Sequence, residues 1–126
     1  MSKILVIEDN QDIREELVEI LRFEGFDVVE AEDGRSGLRL AQDERPDLIL
    51  CDVMMPHLDG FGALAAVRDD PATSSVPFLF LSARREDTDL QLSLDLGADG
   101  YLRKPFDIPT LLGAINAQLS RSRSGT

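Results

Sequence analysis

In Leu48-Ile49-Leu50-Cys51-Asp52 a run of apolar residues stops abruptly at a carboxylate, and Val53-Met54-Met55-Pro56 follows. An apolar run this short, bounded by a Pro-containing loop, reads as a buried strand. Asp52 then sits where the strand leaves the core and meets solvent. That edge is where open parallel sheets place their ligand sites.

Upstream, Ile4-Leu5-Val6-Ile7 is continuously apolar and half β-branched, as suits a central parallel strand covered on both faces. It ends at Glu8-Asp9. Ile13, Leu17, Ile20 and Leu21 then recur at the spacing of an amphipathic helix. Asp12 with Glu15 resembles a capping box, and Asn10 is the alternative cap. Arg14, Glu15, Glu16, Glu19 and Arg22 read as the solvated face, and Gly25 closes the helix. Val28-Val29, flanked by Asp27 and Glu30, makes a shorter and more polar strand at or near an edge. Asp33-Gly34 turns the chain into a second helix marked by Leu38, Leu40 and Ala41, which stops before Pro46.

Downstream of Asp52, Gly60 to Arg68 reads as a third helix, with Phe61, Leu64 and Val67 on one face. Residues 69–75 have loop composition. Pro77-Phe78-Leu79-Phe80-Leu81 is another buried strand, with its proline confined to the first residue, and it ends at Ser82. The stretch Leu90 to Leu96 alternates like a strand, yet Glu86-Asp87 before it and Gly97 after it are helix start and stop signals. A helix also keeps the alternation of elements. In a helix residues two apart lie ~200° apart, so Leu90/Leu94 and Leu92/Leu96 occupy opposite faces. One pair faces the sheet, and the other is either a candidate docking surface or covered by neighbouring elements. Tyr101-Leu102 is a short strand ending near Lys104-Pro105. Asp107 caps a last helix that tolerates Pro109 in its first turn, with Ile108, Leu111, Leu112, Ile115 and Leu119 as its apolar face. Ser120 to Thr126 has nothing to bury and reads as a flexible tail or the start of a linker. The expected organisation is a domain over residues 1–119 with a tail over 120–126.

At 126 residues the chain suits one domain. A net charge of −11 argues against a grip on nucleic acid or an anionic membrane and favours a cation in any acidic pocket. Cys51 is the only cysteine, so no internal disulfide forms, and its apolar setting suits a reducing compartment. The apolar stretch after Met1-Ser2-Lys3 is too short for a signal-peptide core or a membrane span. The expected location is the cytoplasm.

Five strands alternating with five helices give an α/β domain, a single parallel sheet between helix layers. If the sheet takes the order 2-1-3-4-5, strands one and three lie side by side at its switch point. Glu8, Asp9 and Asp52 then converge. Two like charges about 4 Å apart repel by roughly 4 kcal/mol at an effective dielectric of 20, so three need a counter-charge. A hard divalent cation supplies it, and Mg²⁺ is the usual choice beside phosphoryl groups. Lys104 at the end of strand five offers a further positive charge, and Ser82 at the end of strand four a hydroxyl. An acidic nucleophile, a metal, a lysine and a hydroxyl suit phosphoryl transfer.

Glu8-Asp9, the stretch Asp52-Val53-Met54-Met55-Pro56-His57-Leu58-Asp59-Gly60, Ser82-Ala83 and Lys104-Pro105-Phe106 together resemble the receiver domains of bacterial two-component response regulators, of the chemotaxis-regulator type. The resemblance spans residues 3 to about 119. It implies the flavodoxin-like sheet of order 2-1-3-4-5, which the residues alone do not supply. It also implies that Asp52 accepts a phosphoryl group from a histidine kinase or phosphotransfer protein. Asp9 would hold Mg²⁺ directly and Glu8 through water, with Asp52 and the Met54 backbone carbonyl as further ligands. Lys104, Ser82 and Ala83 would meet the phosphoryl group, and the Lys104-Pro105 bond would be cis. Ser82 and Tyr101 would form a switch that remodels the face of helix four, strand five and helix five, where alignment nominates Leu90 and Leu94 for docking. That face would control a downstream protein or output domain, with phosphorylation-dependent pairing of two copies as a further outcome. Met54 and Arg84 occupy positions that modulate phosphoryl lifetime in the family.

Without the resemblance, Tyr101 reads as a packing residue with its hydroxyl in water, and His57 as a surface loop residue with no companion at metal-ligand spacing. The catalysis expected is confined to the chain's own phosphorylation and dephosphorylation. A phosphohydrolase of the haloacid-dehalogenase type wants an acid two residues after its nucleophile, where this chain has Met54. A flavin or nucleotide site wants a Gly- or Ser/Thr-rich phosphate loop where this chain has Glu8-Asp9-Asn10. The winged-helix branch carries an acidic pair near strand five, and Asp99-Gly100 here departs from it.

Overall fold

A computed structural model of the chain describes residues 2–53, 60–82, 97–103 and 107–124. Its strands are β1 (Lys3–Ile7), β2 (Asp27–Ala31), β3 (Leu48–Asp52), β4 (Phe78–Ser82) and β5 (Gly100–Arg103). The helices among the described residues are α1 (Gln11–Phe23), α2 (Gly34–Glu44), α3 (Gly60–Asp69) and α4 (Ile108–Ser124). The five strands pair in parallel in the order β2-β1-β3-β4-β5. The sheet is the expected one. Four helices rather than five flank it among the described residues, because the helix expected around Leu90 to Leu96 lies outside them.

Alternation along each strand divides the core into two layers. Ile4, Val6, Leu48, Leu50, Leu79 and Leu81 pack with Leu17, Val18 and Leu21 of α1 and Leu111, Ile115 and Leu119 of α4. Leu5, Ile7, Ile49, Cys51, Phe78 and Phe80 pack with Ala41 of α2 and Ala63, Leu64 and Val67 of α3. The central strands are covered on both faces, which is why their sequences show no polar alternation.

Asn10 caps α1, its side chain accepting from Ile13 N at 3.1 Å. The Asp12 alternative is thereby settled against, since a cap must precede the first helical residue to reach the free N–H groups. Gly25 follows with φ +92°, the left-handed conformation that ends helices without a Cβ penalty. Asp33 caps α2 and Asp107 caps α4, accepting from Ser36 N and Thr110 N, each at 2.8 Å. Two expectations for α4 change. Ile108 is 47% exposed rather than part of the apolar face, and the helical backbone runs past Leu119 to Ser124.

At the sheet end where β4 and β5 begin, Arg68 donates to the carbonyls of Ser74, Val76 and Gly97. It also pairs with Asp99 at 2.9 Å, and Asp99 accepts from Phe78 N at 2.8 Å. Asp99 is thus engaged in fixing the two strand starts. Among the described residues no helix is long and apolar enough to cross a membrane.

Candidate functional site

The register Ile7↔Cys51 puts the residues that follow, Glu8 and Asp52, side by side at the ends of β1 and β3. Glu8 N donates to Ala31 O at 3.0 Å, continuing the β1–β2 ladder one residue past the strand. One carboxylate oxygen from each of Glu8, Asp9 and Asp52 lies within 4.8 Å of the others. Glu8 is 1% exposed, Asp52 half-buried at the end of β3 and Asp9 exposed, so the cluster runs from the core edge out to solvent. Behind it, Val53 N donates to Leu81 O at 3.2 Å and Gly60 N to Val53 O at 2.8 Å. The chain leaving Asp52 is thus tied to β4 and to the start of α3.

The donor set fits a hard divalent cation. It consists of carboxylate oxygens alone, with a buried member whose charge has lost most of its water. Cys51, the soft ligand nearest in sequence, is buried in the α2/α3 layer, its Sγ 3.3 Å from Asp52 O.

Arg14 was expected on the solvated face of α1, and the structure places it elsewhere. Its Nη1 donates to Glu8 O at 2.8 Å and its Nε to Glu30 Oε1 at 3.3 Å, with the side chain 13% exposed. A cation near a helix N-terminus opposes the macrodipole. That conflict is the one sequence signal that Arg14 has a local task.

Tyr101 lies in β5 with its ring centroid 6.3 Å from that of Phe80, tilted by 58°. Phe80 also meets Phe61 and Phe78 edge-on, at 5.3 and 5.1 Å. The Tyr101 hydroxyl is buried and has no hydrogen-bond partner among the described residues. The plain packing reading, with that hydroxyl in water, is corrected by this burial. β4 ends at Ser82, in register with Arg103 of β5, so Ser82 and Arg103 belong to the same sheet edge as Asp52. Met54, Ala83, Leu90, Leu94, Lys104 and Pro105, and with them His57 and Arg84, lie outside the described residues.

A five-stranded parallel sheet of this order, with three carboxylates at its switch point, defines a receiver-type signalling domain. The chain belongs to the response regulator receiver domain family, which it matches over residues 4–116. It is 43% identical over 122 residues to the transcriptional regulatory protein CpxR of Escherichia coli (strain K12), covering 97% of this chain and 51% of CpxR. It is 38% identical over 120 residues to protein PilH of Pseudomonas aeruginosa, covering 95% of this chain and 99% of PilH. Among solved structures, the chemotaxis protein CheY4 of Vibrio cholerae superposes with a TM-score of 0.88 at 36% identity, over 93% of this chain and 98% of that one. The chain spans about half the length of CpxR and all but 1% of PilH. Domains of this family are signalling switches rather than enzymes that turn over a substrate.

Proposed function

We propose that this domain is a phosphorylation-activated switch in which Asp52 is the phosphoacceptor. The observation that carries the reading is the convergence of Glu8, Asp9 and Asp52 within 4.8 Å at the switch point of the sheet. A carboxylate oxygen of Asp52 attacks the phosphorus of a phosphohistidine on a sensor kinase or phosphotransfer protein. The new P–O bond forms as the P–N bond breaks, and the imidazole leaves with the electron pair and takes up a proton. Hydrolysis returns Asp52 as a free carboxylate and releases phosphate. Both steps serve this chain alone.

Asp9, Glu8, Asp52 and the Met54 carbonyl are the proposed ligands of Mg²⁺, which when bound neutralises phosphoryl oxygens. Glu8, shielded from water, forms the floor of the pocket. Lys104, next in sequence to Arg103, is assigned a phosphoryl oxygen. Ser82 is assigned a hydrogen bond to the phosphoryl group. Tyr101, already turned into the layer containing Phe80, is assigned the second half of the switch, biasing the protein toward one surface state. The message passes to another protein or to an output domain, in the cytoplasm. The core of the switch domain extends to Leu119 of α4, whose helical backbone continues to Ser124.

A small phosphodonor with Mg²⁺ is expected to add one phosphoryl group to the wild type and none to Asp52→Asn, as read by intact mass. Equal labelling of the variant would remove Asp52 from the role.

A further inference from the structure

We propose that Arg14 is a positioning residue of the acidic pocket, holding the Glu8–Asp9 peptide so that both carboxylates face one divalent cation. The inference rests on the reading that the pocket takes such a cation. The Glu8 carbonyl and the Asp9 N–H share one rigid peptide plane. Whatever holds that carbonyl therefore fixes the rotation of the plane and the directions in which Glu8 and Asp9 leave it. Arg14 Nη1 holds it at 2.8 Å, while on the other side of Glu8 its N–H is fixed to Ala31 O at 3.0 Å.

Arg14 is in turn held at both ends. Its backbone N–H donates to Asn10 O at 2.9 Å, within the capped first turn of α1. Its Nε meets Glu30 Oε1 at 3.3 Å, next to Ala31 at the end of β2. A planar guanidinium can serve both partners at once, whereas an ammonium lacks the fork. A side chain 13% exposed, with one partner just past β1 and another in β2, is no freely solvated arginine.

Positioning and simple charge predict opposite signs. As a bare positive charge beside the pocket, Arg14 repels a divalent cation, and its removal would tighten binding. As a positioning residue it improves the ligand geometry, and its removal weakens binding. Outer contacts that orient metal ligands are commonly worth 10- to 100-fold in affinity. With a carbonyl rather than a ligand atom held, about tenfold is expected.

The test is calorimetric titration of Mg²⁺ into the full chain, with circular-dichroism melts of each variant in chelator to establish folding. Arg14→Ala is expected to bind about tenfold more weakly than wild type. Arg14→Lys, which keeps the charge and loses the fork, is expected to be weakened as well. Unchanged or tighter binding by folded Arg14→Ala overturns the proposal. Where Arg14→Ala does not fold, wild-type affinity in Arg14→Lys overturns it. Asp9→Asn separates the two levels of the argument. Binding lost in Asp9→Asn but undiminished in Arg14→Ala removes this inference alone, while a wild type that binds no Mg²⁺ removes the cation reading and this proposal together.

Discussion

Behind Asp52 the chain leaves no room for a side chain at Gly60. A Cβ there would lie 2.5 Å from Asp52 O, 2.7 Å from Val53 Cα and 2.9 Å from Phe80 Cε1. Two of those atoms are backbone, one at the end of β3 and one in the residue after it, so relief comes only by moving that strand end or by breaking the bond from Gly60 N to Val53 O. Gly60→Ala is expected to cost roughly 1–3 kcal/mol, as overpacking does in tight interiors, measured by urea denaturation, and to slow phosphoryl uptake on Asp52. Gly113 in α4 is the internal control, since nothing lies within 4 Å of a Cβ there. Gly113→Ala is expected to stabilise by roughly 0.5–1 kcal/mol through helix propensity alone. Equal effects of the two substitutions would show that the contact behind Asp52 carries no strain.

The helices and strands were legible where one period dominated. β1, β3 and β4 read as strands because unbroken apolar runs have no other use in a sheet covered on both sides. Their order was not legible, because no residue in β1 states that β3 rather than β4 is its neighbour. Resemblance supplied it, and with it the convergence of Glu8 and Asp9 with Asp52. Arg14 was illegible for a different reason. On a helix with charges on most exposed turns, an arginine that folds back onto a carbonyl has the same pattern as one in water. Asp70 is a similar case, read as loop composition though it joins two elements. Its carboxylate accepts from Ala72 N at 2.9 Å and from Gln42 Nε2 of α2 at 2.8 Å. The Ala72 backbone N–H first, and the Gln42 amide second, hold its pKa below the usual carboxylate value. With the folded pKa depressed, the contribution to stability is complete above the unfolded value of 3.8 and is lost as pH falls through the lower folded value. The stability gap between wild type and Asp70→Asn is therefore expected at pH 6 and expected to shrink in acid below the unfolded value. A gap independent of pH would assign the difference to packing instead.

For the whole molecule, a net charge of −11 means that ions stabilise the folded chain in two separable ways. Any salt screens the diffuse negative field over a Debye length of about 8 Å at physiological ionic strength. Only a cation seated in the pocket relieves the local repulsion among Glu8, Asp9 and Asp52, whose oxygens lie within 4.8 Å of one another. Asp9 is the exposed member, so neutralising it disturbs the core least. In chelator, Asp9→Asn is expected to melt above the wild type, because one of three mutually repelling charges is gone. With Mg²⁺ the wild type gains by binding linkage, about 2.7 kcal/mol at a concentration one hundred times its dissociation constant. The variant lacks a ligand and its melting temperature stays nearly flat. The two melting curves should therefore cross as Mg²⁺ rises, while NaCl at matched ionic strength raises both in parallel. Parallel rises with Mg²⁺ as well would reduce the acidic cluster to one more part of a negative surface.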